Sequence, residues 1–163
     1  ISNMKLASGF CEVVKLMNQD INVALGTDGA ASNNTLDMIN EMRSAALLAK
    51  AISGDARALP AHKALEMATI NGAKALGLEE LIGSLEPGKF ADIAAISFNT
   101  FNTFPINNPL SHLIYAVNSS QVSHVWVGGE NVLYEGSLTT IDEQNVQDSV
   151  LTWQSRIEKA LGP

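Results

Sequence analysis

The segment from Val23 to Gly26 constrains the fold of this chain more than any other part of its sequence. It is short, continuous and apolar, which is typical of a parallel strand buried on both faces. The surrounding pattern predicts a short helix from Gly9 to Met17 before it and a long helix from Leu36 to Ala51 after it, with Asn34 and Thr35 as capping candidates. Helix, strand, loop and helix in this order are typical of an α/β barrel.

Asp28 lies in the loop after this predicted strand, within Gly26-Thr27-Asp28-Gly29. In α/β barrels the catalytic groups lie at the C-terminal ends of the strands. A carboxylate at such a place can bind a divalent metal and accept a proton from water that the metal polarises. The alternative is that Asp28 only caps the following turn, since Asp-Gly is a common turn pair. The local sequence leaves both interpretations open.

The chain has a different character after Gly54. Further helices, strands and turns are predicted at Pro60 to Leu76, Glu86 to Lys89, Ala91 to Ile96, Pro109 to Tyr115, Val122 to Val127, Asn131 to Tyr134 and Asp142 to Leu161. Gly128 and Gly129 indicate a hairpin between the last two strands. Apolar residues recur along the final helix at Val146, Val150, Trp153 and Ile157.

These patterns divide the chain into a barrel-like part at 1–80, a small strand-rich part at 81–141 and a closing helix at 142–163. A small sheet with unpaired edges is seldom stable alone. The chain also opens without Met, in a turn-rich stretch typical of a loop in the middle of a fold. We therefore expect partner strands upstream of Ile1.

Composition narrows the class of protein. A formal charge of −7 argues against a nucleic-acid partner, because such binding depends on Lys and Arg at the phosphates. The apolar runs are far shorter than the roughly 20 residues of a membrane-spanning helix, so no membrane partner is expected. The single cysteine, Cys11, rules out an internal disulfide and favours a cytoplasmic protein, in which Cys11 is expected to be a small core residue.

Four blocks of the sequence follow one another in a characteristic order: GTDGAASNN, LDMINEMRSAALLAKA, ALEMATINGAKALGLEELIGSLEPGKFADIAAI and VSHVWVGGENVLYEG. Together they resemble the amidohydrolase superfamily. Within the superfamily the chain is most similar to the 5′-methylthioadenosine/S-adenosylhomocysteine deaminases and to triazine hydrolases, from Ser2 to about Gly136. The resemblance implies an α/β fold: the C-terminal part of a metal-dependent (β/α)8 barrel with the C-terminal part of a small composite β domain.

The resemblance also implies roles for particular residues. Asp28 matches the family's aspartate at the end of the last barrel strand, which is a ligand of zinc or iron and carries a proton. The family's histidine ligands and catalytic glutamate have no counterparts here. Ser2 and Asn3 match a loop at the rim of the active site, and Ser32 and Asn33 follow Asp28, so all four are candidates for substrate binding. The alternative for each is a local structural bond.

The implied reaction is hydrolytic deamination of a nucleoside-like, adenosine-type substrate with release of ammonia. A triazine chlorohydrolase and a guanine or cytosine deaminase are alternatives within the superfamily, and a non-catalytic module is an alternative outside it. Because Asp28 is one ligand of about four, we expect the isolated chain to be inactive and to hold no metal tightly. A homo-oligomer is a further expectation from the family.

Overall fold

The computed structural model describes residues 1–162. Pro163, the last residue of the predicted segment 142–163, lies outside them. The helices are α1 (Ser2–Lys5), α2 (Val13–Met17), α3 (Ala30–Asn33), α4 (Met38–Ser53), α5 (Ala61–Ala68), α6 (Ile70–Leu76), α7 (Pro109–Tyr115) and α8 (Glu143–Leu161). The strands are β1 (Ile93–Ile96), β2 (Val122–Val127), β3 (Glu130–Tyr134) and β4 (Ser137–Leu138), and a 3-10 turn, Ser119–Gln121, precedes β2.

The strands form one antiparallel sheet in the order β1-β2-β3-β4. Gly128 and Gly129 join β2 to β3 with φ angles of 58° and 85°, the left-handed backbone that a tight hairpin needs. Asp92 holds this turn, because its Oδ1 accepts from the Gly128 N–H at 2.7 Å. The predicted hairpin is therefore confirmed. Lys89 does not share this contact, since its Nζ donates to the carbonyl oxygen of Glu79.

The core lies between α4, α5 and α7. Its buried residues are Ile39, Met42, Ala46, Ala49, Leu59, Ala64, Met67, Ile114 and Val117. One side of it is formed by the apolar residues of α4 that recur at helical spacing, which are Ile39, Met42, Ala46 and Ala49. Arg43 fastens α4 to α7 by donating to the carbonyl oxygens of Ile114 and Val117. The core thus fixes α4, and the residues just before α4 belong to the Asp28 loop.

The predicted strand from Val23 to Gly26 is not a strand in the structure. Its backbone bonds go to helices instead: the Leu25 N–H donates to the Met67 carbonyl oxygen at 2.9 Å, and Asn71 Nδ2 donates to the Val23 carbonyl oxygen at 3.0 Å. No strand within residues 1–162 pairs with this segment. A strand needs a neighbouring strand that completes its backbone hydrogen bonds. The apolar run alone therefore does not determine whether this segment is a strand.

Two predicted helix boundaries also change. The long helix begins at Met38 rather than Leu36, because Leu36 has a left-handed φ of 51° that a helix cannot contain. Asp37 is its N-cap, not Asn34 or Thr35. The helix predicted from Pro60 to Leu76 is broken at Thr69 (φ −129°, ψ −98°) into α5 and α6, and α6 ends at Leu76 as predicted.

The N-terminal part shows smaller differences. The opening stretch predicted as a loop contains the single-turn helix α1, and α3 is a helical turn that the sequence pattern did not predict. The helix predicted from Gly9 begins only at Val13. Cys11 is exposed, so its assignment to the core is wrong.

Helix α8 is confirmed, with Asp142 as its N-cap. None of its residues is buried, and Trp153 in its apolar stripe is 60% exposed. No helix in residues 1–162 is long and apolar enough to cross a membrane. The boundaries at 80 and 141 stay predictions.

Candidate active site around Asp28

Asp28 lies where the extended segment after Val23 turns into α3. Its φ of 67° is left-handed, and Asn34 (73°) and Leu36 (51°) in the same loop share this conformation. Aspartate and asparagine adopt it more readily than most residues, but it still costs a residue with a side chain roughly 1–2 kcal/mol. Strain of this kind persists where surrounding contacts fix the backbone, and it is common at active sites.

The Asp28 side chain is exposed, and its carboxylate accepts from the loop that follows it. Oδ2 accepts from Ser32 Oγ at 2.5 Å. This hydrogen bond, together with one from the Gly29 N–H, lowers the pKa of Asp28 below its ordinary value. The carboxylate does not cap α3, since Gly29 is the N-cap and no side chain makes a capping bond there. Asp28 is therefore an anionic group presented to solvent.

A cleft of about 200 Å³ opens beside Asp28. Residues from α1, from the stretch before α2, from the extended segment and from the inner face of α4 line it. Apolar groups such as Phe10 and Leu48 predominate, with Asp28, Asn3 and Ser44 among the few polar ones. A concave, mostly apolar wall with a few polar groups is the usual form of a small-molecule site.

The structure separates the four candidate substrate-binding residues into two pairs. Asn3 is exposed on the cleft, and Ser32 is half-buried against the Asp28 carboxylate. Ser2 and Asn33 are only 6% and 4% exposed. Ser2 Oγ donates to the Thr27 carbonyl oxygen at 2.9 Å, directly before Asp28. The burial of Ser2 and Asn33 favours a supporting role for both, beneath the loop that carries Asp28.

Glu41 is a polar residue that the sequence patterns did not single out. It lies in the first turn of α4, is 5% exposed and lines the floor of the cleft. Its Oε1 accepts from Asn33 Nδ2 at 2.6 Å, and its Oε2 accepts from the Ile1 backbone nitrogen at 2.8 Å. The available signal was an acidic residue directly beside the apolar stripe that starts at Ile39 and Met42.

Asp28 fits a metal as one ligand. An exposed, ionised carboxylate is a ligand that zinc and iron accept in proteins. In the part of the chain that the structure describes, no three His, Cys, Asp or Glu side chains are grouped so that they could hold a metal ion. His124 stacks on Trp126 with 5.5 Å between the ring centroids, and His112 Nδ1 lies 2.8 Å from the Asn108 carbonyl oxygen.

The chain is similar to known enzymes over most of its length. It is 51% identical over 156 residues to a 5-methylthioadenosine/S-adenosylhomocysteine deaminase of Teredinibacter turnerae, an alignment that covers 96% of this chain and 35% of that protein. The chain thus spans about a third of the length of the curated relatives it matches.

Two solved structures resemble it closely. A zinc-bound adenosine deaminase from Xanthomonas campestris superposes with a TM-score of 0.92 at 46% identity, over 96% of this chain and 36% of that one. A zinc-bound atrazine chlorohydrolase from Arthrobacter aurescens superposes with a TM-score of 0.85 at 25% identity, over 93% and 34%. These likenesses confirm the predicted fold class.

The model of the amidohydrolase family matches residues 1–132, which is more than half of the chain. The match includes the extended segment, the Asp28 loop, α4 and most of the sheet. The chain therefore belongs to the amidohydrolase family.

Proposed function

We propose that the protein is a metal-dependent deaminase of adenosine-type nucleosides such as 5′-methylthioadenosine and S-adenosylhomocysteine. Asp28 carries this proposal: it presents an ionised carboxylate at the mouth of a mostly apolar cleft, from a strained backbone held in place by its neighbours. The similarity to proteins named as deaminases of these nucleosides supports the choice of substrate.

Asp28 has two roles in this proposal. It is one ligand of a zinc or iron ion, which when bound polarises water and the substrate as a Lewis acid. Its carboxylate also accepts a proton as water adds to the ring carbon that carries the amino group, and passes it to the departing nitrogen. The C–O bond forms, the C–N bond breaks, and ammonia leaves with the proton that Asp28 returns.

Asn3 and Ser32 are the proposed substrate contacts, because Asn3 lines the cleft and Ser32 donates to the Asp28 carboxylate. An amide and a hydroxyl can each donate to and accept from a nucleoside. Ser32 also fixes the rotamer of Asp28 through its 2.5 Å hydrogen bond. Ser2 and Asn33 act from beneath the loop, where their polar atoms bond to protein groups.

A triazine chlorohydrolase is the second candidate, favoured by the likeness of this chain to the atrazine enzyme. That reaction would expel chloride or an alkylamine from a similar ring, so the leaving group distinguishes the two. A guanine or cytosine deaminase would also release ammonia but from a different base.

The test is product release by the complete protein, expressed from its full reading frame. The substrates are 5′-methylthioadenosine, S-adenosylhomocysteine, adenosine, guanine, cytosine and a chlorotriazine. We expect rapid ammonia release from the two thioether nucleosides. Chloride release alone would assign the protein to the triazine hydrolases, and ammonia from guanine or cytosine alone would assign it to the base deaminases.

The isolated chain of 163 residues should be inactive, since Asp28 is one ligand of about four. Zinc analysis after dialysis tests this directly, and less than one tenth of an equivalent per chain is expected. Stoichiometric zinc in the isolated chain would instead favour a self-contained site or a non-catalytic metal-binding module.

The proposal includes a cytoplasmic location and a homo-oligomeric state. The one cysteine in the sequence is an exposed free thiol, which is common in reducing compartments. Cell fractionation tests the location, and light scattering of the complete protein tests the assembly.

A further inference from the structure

Glu41 is a buried acidic residue whose hydrogen bonds run towards the Asp28 loop. Charged side chains are rarely buried this deeply unless they are paired or hydrogen-bonded. Both carboxylate oxygens of Glu41 are bonded, one to Asn33 Nδ2 at 2.6 Å and the other to the Ile1 backbone nitrogen at 2.8 Å. A hydrogen bond to a charged acceptor is about twice as strong as one between neutral groups.

Asn33 links Glu41 to both ends of the Asp28 loop through hydrogen bonds. Its Oδ1 accepts from the N–H of the left-handed residue Leu36 at 2.8 Å. Its Nδ2 also lies 3.5 Å from Ser2 Oγ, which donates to the Thr27 carbonyl oxygen at 2.9 Å. Together, Glu41, Asn33 and Ser2 therefore form one hydrogen-bond network. It bonds to the backbone before Asp28, at Thr27, and after Asp28, at Leu36.

We propose that Glu41 is a positioning residue that orients Asp28 through Asn33. This inference rests on the proposed function. Ser32, which fixes the Asp28 carboxylate, directly precedes Asn33, so holding Asn33 also holds Ser32. Without the Glu41 contact, the left-handed backbone at Asp28 (φ 67°) loses the bonds that maintain it, and the carboxylate leaves its place at the cleft.

The packing of α4 does not depend on these bonds. Ile39 and Met42 place α4 in the core, and Arg43 fastens it to α7 through carbonyl oxygens there. The polar contacts of Glu41 point the other way, to Ile1 before α1 and to Asn33 in α3. A role in orienting Asp28 therefore predicts effects on zinc and catalysis beyond those that a loss of stability produces.

The experiment is a double-mutant cycle in the complete, zinc-loaded protein. Asn33→Asp sets two carboxylates face to face, and we expect kcat to fall by about 10- to 100-fold, with little change in KM and with zinc lost on dialysis. Glu41→Gln keeps an oxygen that can accept from Asn33, so its loss should be smaller. The double variant exchanges amide and carboxylate, re-forms the hydrogen bond, and should recover most of the kcat and zinc content.

Ile114→Ala is the matched control for stability, because Ile114 is fully buried in α7 and belongs to the apolar core. It should lower Tm at least as much as Asn33→Asp while leaving kcat and zinc unchanged well below Tm. Normal kcat and zinc in Asn33→Asp, or no recovery in the double variant, would overturn the inference. If Asp28→Asn also retained full activity, the proposed function would fail instead.

Discussion

The loop around Asp28 and the first turn of α4 around Asp37 each place an aspartate where the chain changes direction. Asp37 has an extended backbone (φ −91°, ψ 100°), and its carboxylate accepts from the Asn40 N–H at 3.0 Å, which caps α4. Asp28 has a left-handed backbone, makes no capping bond, and accepts from Ser32 at a cleft.

The two aspartates show what distinguishes a structural carboxylate from a functional candidate. Asp37 satisfies a backbone donor at a helix start, so its position is explained by the stability of α4 alone. Asp28 occupies a costly conformation and satisfies little of the backbone, while a buried network supports the loop from below. Strain of this kind is common at active sites, so the conformation of Asp28 favours a functional role for its exposed carboxylate.

The largest difference between the two aspartates should appear in catalysis. In the complete protein, Asp28→Asn should lower kcat by a factor of about 10² to 10⁴, because an amide cannot accept the proton and is a poorer metal ligand. Asp37→Asn is the matched control, since asparagine caps a helix as well as aspartate does. Equal kcat values for the two variants would mean that Asp28 has no catalytic role that Asp37 lacks.

A smaller catalytic effect is expected from Ser32. Ser32→Ala removes the 2.5 Å hydrogen bond that orients Asp28, and the loss of such a partner typically costs 10- to 100-fold in activity or metal affinity. Ser53→Ala, which removes an exposed hydroxyl at the far end of α4, serves as the control. Wild-type kcat in Ser32→Ala would mean that the serine only shapes the turn.

The pKa of the Asp28 carboxyl offers a measurement independent of activity. The hydrogen bonds from Ser32 and Gly29 lower this pKa, so the carboxylate should stay ionised below the pH at which an ordinary aspartate protonates. The bonds are present above the lowered pKa and are lost as the pH falls through it. Carboxyl NMR of the metal-free complete protein should show this, and Ser32→Ala should raise the midpoint. An ordinary midpoint that Ser32→Ala leaves unchanged would contradict the geometry.

The smallest expected effect on activity belongs to Asp37. Asp37→Ala removes the cap of α4 and should lower the free energy of unfolding by about 1 kcal/mol while leaving kcat unchanged. Asp142→Ala is the matched change at α8, which buries no residue, so it should leave the unfolding midpoint of the core close to that of the wild type. Denaturant titration of the wild type, Asp37→Ala and Asp142→Ala measures the three unfolding free energies.

Local sequence predicted the elements whose partners are close in the chain. The hairpin of β2 and β3 and helix α7 appear where the pattern placed them, because turn glycines and a Pro start are local signals. The segment from Val23 to Gly26 has an equally apolar sequence but no neighbouring strand within residues 1–162, and it is not a strand. Strand formation depends on distant partners that periodicity cannot reveal.

The site was likewise predictable only where its signals lie close together in the sequence. Asp28 stands out because its loop follows an apolar segment, and the family resemblance gave it a role. The burial of Ser2 and Asn33 and the contact of Asn33 with Glu41 depend on how α1, α3 and α4 pack together. Such packing leaves no spacing in the sequence that marks it, and the exposure of the apolar stripe on α8 is equally invisible there.

The most direct test is a crystal structure of the complete protein with zinc bound. The measured quantity is the distance from the Asp28 carboxylate to the metal. We predict an oxygen–zinc distance of about 2.0–2.2 Å, with Ser32 still bonded to the carboxylate. A zinc ion held entirely by other side chains, with Asp28 beyond about 4 Å and bonded only to its own loop, would contradict the central claim that Asp28 belongs to the active site.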